Sequence, residues 1–297
     1  MKPNVFSLSV VSLVVGTWVA VAAPAAASQR TFVSGEGNDA NPCSLTAPCR
    51  GLQAAVSAVD PSGDVIVLDS AGYGAIFISK SVSIIAPTGV YAGISVSSGD
   101  GIFVNGGLKV VLRGLTLNGN GTAGRGINSG SSGAELHVEN CVISGFTAEG
   151  ILLGSGSRAF IKDSFVRDTD TGIAIGGVSA AIDNVRAENN RIGMRVDRGA
   201  TATIRNSVAA GNSDTGFFAF TGATAQSRLN LEDSMASNNG TGIEERFSIA
   251  MISNCVVTGN TVAGVAAIGG FVYSRQNNTV FDNLLNVDAF ISPLPPV

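Results

Sequence analysis

Val138-Glu139-Asn140-Cys141-Val142-Ile143 decides the fold, because it is one copy of a six-residue pattern to which the chain keeps returning. The pattern is an apolar residue, any residue, Asn or Asp, a small residue, any residue, and a small or apolar residue. It recurs as Ile161-Lys162-Asp163-Ser164-Phe165-Val166, Ile182-Asp183-Asn184-Val185-Arg186-Ala187 and Ile204-Arg205-Asn206-Ser207-Val208-Ala209. Two further copies are Leu231-Glu232-Asp233-Ser234-Met235-Ala236 and Ile252-Ser253-Asn254-Cys255-Val256-Val257. The Asn/Asp markers are therefore spaced by 23, 21, 22, 27 and 21 residues. A second marker keeps step nine or ten residues later, at Gly150-Ile151, Gly172-Ile173, Gly193-Met194, Gly216-Phe217, Gly242-Ile243 and Gly264-Val265. Leu112 to Leu117 with Gly126-Ile127 is an earlier, looser copy. Asn277 to Val280 with Asn283 is a late one, in which Arg275 stands where an apolar residue is expected.

A period near 22 residues with only short apolar runs excludes a repeat of paired helices, and the fixed Leu spacing of leucine-rich repeats is absent. It fits a coil of three short strands. Coils stacked about 4.8 Å apart pair every strand with its equivalents above and below, and the inward side chains build a core that no single coil could bury. The expected fold is all-β: a right-handed parallel β-helix, a single-stranded solenoid. Period-2 alternation turns Ile161, Ser164 and Val166 inward, with a turn at Asp163 resetting the faces. Asn and Asp suit such turns because they tolerate left-handed dihedrals and bond nearby backbone or their own equivalents. Asp168, Asn189, Asn212, Asn238 and Asn260, four residues before the Gly marker, are expected to form a second turn ladder.

Composition and ends agree with this reading. The chain has 38 Gly, a formal net charge of −4 and a single histidine, His137. Few basic residues argue against a nucleic-acid partner, which would need phosphate-neutralising clusters. Lys2, the uncharged run Val5 to Val21 and the small residues Ala22 to Ser28 read as a signal peptide over 1–27. The expected location is secreted, periplasmic or cell-surface, with no stable membrane span after signal cleavage. Residues 28–64 then form an N-terminal strand, a disulfide turn and a cap helix over Cys49 to Val59, ending in a turn at Pro61 to Asp64. The coils occupy 65–286 and a tail occupies 287–297, where the prolines from Pro293 onward are expected to leave any strand. Cys43 and Cys49 are expected to form a local disulfide in an oxidising compartment. Cys141 and Cys255 occupy the same inward position five coils apart, about 24 Å, and are expected to be buried free thiols.

The run Thr31 to Pro42 (TFVSGEGNDANP), continuing through Pro48, the helix, Gly63-Asp64-Val65-Ile66-Val67-Leu68 and Gly72-Tyr73, resembles the N-terminal signature of pectate-lyase-like right-handed β-helix proteins. The Asn and Gly repeats resemble that family's coil pattern over about 110–285. The resemblance implies the fold, and it leaves lyases, hydrolases, epimerases, binding proteins and surface proteins all open. Arg167-Asp168-Thr169-Asp170-Thr171-Gly172-Ile173 is similar to an acidic motif of pectin-hydrolysing relatives. The accompanying paired Asp, His-Gly and Arg-x-Lys segments are missing, as are the Arg-x-Pro-x-x-Arg pattern of pectate lyases and the Asp-Pro-His-Asp pattern of epimerases.

Stacking arithmetic locates the charged candidates. Glu139, Lys162, Asp183, Arg205 and Glu232 precede successive markers with alternating sign, so a slip of one coil would stack like charges. Each carboxylate in that column is expected to face a cation above or below. Asp170, Arg191 and Asp214 align two residues before the Gly marker. With Arg167, Asp168 and Arg195 they outline a candidate ligand-binding region, and Phe218 and Phe220 add sugar-stacking rings. Val142, Phe165, Arg186, Val208, Met235 and Val256 form an outward, largely apolar stripe. Trp18 falls in the signal peptide. No catalytic set is identified and no metal site is expected. The expected function is noncatalytic recognition of a polysaccharide or other cell-surface polymer. The alternatives are an acidic-polysaccharide lyase or glycoside hydrolase (a lyase adding Ca²⁺ on Asp168, Asp170 and Asp214) and a structural or adhesive module.

Overall fold

The computed structural model describes residues 28–130, 133–156, 158–222, 225–288 and 290–294; the expected signal peptide and Trp18 lie outside the described residues. Each coil gives one strand to each of three parallel sheets, a first sheet of 12 strands and a second and third of 10 each. Together they make a right-handed parallel solenoid of about ten turns preceded by one helix. The register is the one the repeats predict: Ile161 pairs with Val138 in the coil before and with Ile182 in the coil after.

The corner between the first and second sheets explains the Asn/Asp marker. Asn140, Asp163, Asn184, Asn206, Asp233 and Asn254 all have φ between 50° and 52°, the left-handed conformation that Asn and Asp adopt at least cost. Coils are tied there by side chains, as where Asn184 Nδ2 donates to Asp163 Oδ1 at 2.7 Å. The next position turns inward. Ser164 Oγ accepts from the Cys141 N–H at 3.2 Å and donates to the Lys162 carbonyl at 2.8 Å, so a buried hydroxyl is satisfied between coils. Cys141 and Cys255 lie in this buried column as free thiols.

The second turn ladder differs from expectation. The place four residues before Gly holds two different structural positions. Asp168, Asn189 and Asn238 are left-handed corners, where Gly211 and Gly259 serve in the other two coils. Asn190, Asn212, Asn239 and Asn260 are the residues that turn inward, buried and bonded coil to coil. Coils carrying Asn212 and Asn260 have one more residue before their Gly, which shifts the count.

The ends also depart in detail. The helix is Leu52–Ala58, shorter than 49–59, because Cys49 forms a bridge with Val33. Asp39 Oδ1 accepts the Arg50 and Gly51 N–H groups at 2.8 and 2.7 Å, favouring helix entry there. Leu52, Ala55 and Val56 pack on the first coil. Pro61 to Asp64 is not a separate turn but lies inside the strand Val59–Val67, with Ser62 at φ 67° where the pairing with Ser28–Val33 shifts. The disulfide Cys43–Cys49 is formed. In the last copy Ser274, not Arg275, takes the inward place opposite Ile252, and Gln276 is an extra left-handed residue. Strands Leu285–Asp288 and Ile291–Pro293 carry the sheets past 286. Pro293 is tolerated because its strand lies at a sheet edge.

Candidate functional site

Along the outer face of the third sheet most outward side chains are buried or half-buried, Ala174 and Glu244 among the buried ones. Its strands Ile192–Asp197, Thr215–Phe220 and Thr241–Arg246 lie side by side, and the residue two beyond each Gly marker stacks Arg195 on Phe218 on Glu244. These side chains line a groove of about 590 Å³. Arg191, Arg195, Asp214 and Phe218 all line it, so the structure brings four of the expected residues together.

At one rim Arg191 lies between two carboxylates from the coils on either side. Its Nε is 2.7 Å from Asp170 Oδ1 and its Nη1 is 2.9 Å from Asp214 Oδ2. The hydrogen bond from Arg191 holds the Asp170 carboxyl below its usual range, and the same contact holds the guanidinium more firmly charged. Arg191 is thus a fixed cation and unsuited to accept a proton. Deeper in the groove Arg195 Nε lies 3.0 Å from Asp197 Oδ2. Glu244, 5% exposed, accepts from Thr215 Oγ1 at 2.8 Å and from Arg246 Nε at 2.5 Å. The Arg246 guanidinium sits 5.3 Å from the centre of the Phe218 ring, and Phe220 stacks beside that ring at 6.0 Å.

Arg167 and Asp168 stand apart from the groove, paired with each other at 2.8 Å beside the second sheet. There the guanidiniums of Arg167 and Arg186 flank Phe165, at 5.7 and 5.3 Å from its ring centre. The three carboxylates suggested for a cation therefore do not converge: Asp168 faces Arg167, and Asp170 and Asp214 face Arg191. Among the described residues no three His, Cys, Asp or Glu side chains form a metal-ligand group. Thr215, Glu244 and Arg246 were not anticipated, while Asp197 lies beside Arg195 in the region the sequence outlines. Glu244 was within reach of the sequence, since it occupies the same place after Gly242 as Arg195 does after Gly193. The Val142 to Val256 stripe stacks as expected on the second sheet.

Fold and groove together define a parallel β-solenoid with a polar, aromatic-edged channel crossing several coils. Residues 125–285 match the family model for the right handed beta helix region, and the chain belongs to that family. No curated protein matches it. Among solved structures, an alginate lyase from Paenibacillus sp. str. FPU-7 is similar at TM-score 0.67 and 15% identity, over 89% of this chain and 100% of that one. A pectate lyase is similar at TM-score 0.58 and 17% identity, over 90% of this chain and 80% of that one. The mannuronan C-5 epimerase A-module of Azotobacter vinelandii is similar at TM-score 0.61 and 18% identity, over 76% and 71%. At these identities the likeness establishes the fold.

Proposed function

We propose that the chain is an exported, noncatalytic β-helix protein that recognises a glycan or other surface polymer through the groove of the third sheet. The observation that carries this reading is the pairing of Phe218 and Phe220 beside charges that neutralise one another. Arg191, Arg195 and Arg246 each already contact a carboxylate. Such a groove offers directed donors and acceptors with an apolar ring face, as a polyhydroxylated ligand requires, and no unopposed charge. Relatives in fold named as lyases and epimerases of polysaccharides support a carbohydrate ligand. A polysaccharide binding array tests it: Phe218→Ala is expected to abolish retention of the wild-type ligand. No wild-type affinity for any acidic or neutral glycan would refute the reading.

One observation favours a second reading, glycoside hydrolysis. Thr215 Oγ1 lies 3.4 Å from Asp214 Oδ1 and 2.8 Å from Glu244 Oε2, so one hydroxyl bridges two carboxylates, the residue pair that glycosidases use. Both carboxylates are also held by an Arg, Asp214 by Arg191 and Glu244 by Arg246, which ties them to the groove wall. Incubation with neutral glycans and with uronate polymers, with and without Ca²⁺, separates the readings. New reducing ends lost in Glu244→Gln would establish the hydrolase, and an unsaturated product would establish a lyase.

A further inference from the structure

The alternating column on the first sheet has a consequence beyond register. Arg113, Glu139, Lys162, Asp183, Arg205 and Glu232 stack in that order on consecutive strands. Asp183 differs from the other acids of the column. Its Oδ1 accepts from Asn206 Nδ2 at 2.7 Å, and among the described residues it ion-pairs with neither neighbour, against expectation. Lys162 and Arg205, 53% and 54% exposed, are left with loose contacts at 3.8 and 3.4 Å to Glu139 and Glu232. A parallel column on the same face carries Lys109, Arg158 and Arg228 against Glu135 alone. The two columns thus hold six cations and four carboxylates, on a chain whose formal net charge is −4.

Beside the column from Glu139 to Glu232 the surface is hollow. Ala181, Thr203 and Asn230 follow Phe160 along the floor, and two grooves of about 450 and 220 Å³ meet at Thr203. Phe160 is 40% exposed and stacks on His137 at 4.8 Å, giving the floor a flat apolar step.

We propose that this face is a track for an acidic polysaccharide lying along the solenoid axis, with its charged group on every second sugar. Arg113, Lys162 and Arg205 recur every second coil, roughly 10 Å apart, a length comparable with an extended disaccharide. A chain in that register sets each anion against a cation and each neutral sugar against Glu139 or Asp183. A polymer charged on every sugar would press carboxylates onto those same acids, and repulsion would oppose it. The inference does not rest on the third-sheet groove, which has no such period.

Titration calorimetry of the chain from Ser28 onward tests it with three probes: hyaluronan oligosaccharides (carboxylate on alternate sugars), oligogalacturonate (carboxylate on every sugar) and neutral dextran oligosaccharides. The expected order is hyaluronan first, at least ten-fold tighter than oligogalacturonate, with dextran unbound and affinity falling as salt rises. K162Q combined with R205Q is expected to weaken hyaluronan roughly ten-fold. Phe160→Ala should weaken it without a change of charge, and Lys162→Arg should retain it. K162Q alone serves if the double variant does not fold. Equal affinity for oligogalacturonate, no affinity for hyaluronan, or loss of hyaluronan binding in Phe218→Ala would each overturn the proposal, the last by relocating the ligand to the other groove.

Discussion

Replacing Asn212 by Ala is expected to cost far more than replacing Asn189 by Ala, although both residues look like turn asparagines in the sequence. Asn212 is 1% exposed, and its side chain bonds to both adjacent coils. Its Nδ2 donates to the Ala187 carbonyl at 3.1 Å and to Asn239 Oδ1 at 2.8 Å. Its Oδ1 accepts the N–H and the Nδ2 of Asn190 at 3.0 and 3.2 Å. Truncation removes four bonds and leaves the Asn190 N–H buried without an acceptor. At about 1 kcal/mol per bond, with an added penalty of about 1–3 kcal/mol for the orphaned donor, the loss is roughly 5–7 kcal/mol. Asn189 is exposed with φ 55°, so Ala there costs about 1 kcal/mol of backbone strain and Gly almost nothing. Urea unfolding measures the totals. Because stacked repeats open in parts, hydrogen exchange at the Asn190 amide should report the local loss as well. Equal costs for the two Ala variants, or unchanged protection of Asn190 in Asn212→Ala, would refute the assignment of a load-sharing inner ladder.

Glu245 is fully buried on the inward side of its strand, aligned with Ala219 and Ala267. Burial pushes its carboxyl up, against the hydrogen bonds from Ser248 that favour the anion. A raised native pKa means that the folded state binds the proton more tightly. Relative to Glu245→Gln, the wild type should therefore gain stability as pH falls through the native value, completing the gain below the unfolded value of about 4.3; parallel stability–pH curves would contradict this. Burial pushes the Cys141 thiol up to about 11 and raises that of Cys255. Both thiols should resist an aromatic disulfide reagent at pH 8 in the native protein and react fully in denaturant. The Cys43–Cys49 bond closes a loop of sequence separation 6, so replacing both by Ser should lower stability by about 2 kcal/mol in unfolding titrations.

The architecture was legible because each coil repeats the same geometric need: a left-handed corner, an inward small residue and a Gly as the second residue of the third strand. Residues serving that need recur with the coil, and recurrence is visible without coordinates. The inner Asn ladder was blurred because coils differ by one residue in the turn before Gly, and counting along the chain cannot tell an insertion from a change of role. The alignment of Asp170, Arg191 and Asp214 was legible for the same reason as the corners, whereas the capture of Asp183 by Asn206 was not. Side-chain direction at a corner depends on which of two nearby partners wins, and both choices leave the same sequence. Glu244 and Arg246 were missed because one coil's departure from its neighbours reads as noise until the groove it lines is known.

The two faces differ in how they close their charges, and this separates the ligands they suit. On the third sheet the acids and bases sit at positions of different kinds, at strand starts and along strands. Arg191 can reach both coils beside it, and Arg246 reaches Glu244 within its own strand. Those pairs satisfy one another and leave the stacked Phe218 and Phe220 rings as the apolar feature of the groove. On the first sheet the charges sit in two columns of equivalent positions, and their Lys and Arg pairs run between vertical neighbours. When Asn206 takes Asp183, the cations on either side of it each keep one ion pair among the described residues, Lys162 to Glu139 and Arg205 to Glu232. A strict repeat therefore leaves a periodic deficit that a periodic ligand can fill, whereas a broken repeat builds a self-contained local site. A solenoid with both has one face suited to the period of a polymer and another suited to the shape of a few sugars.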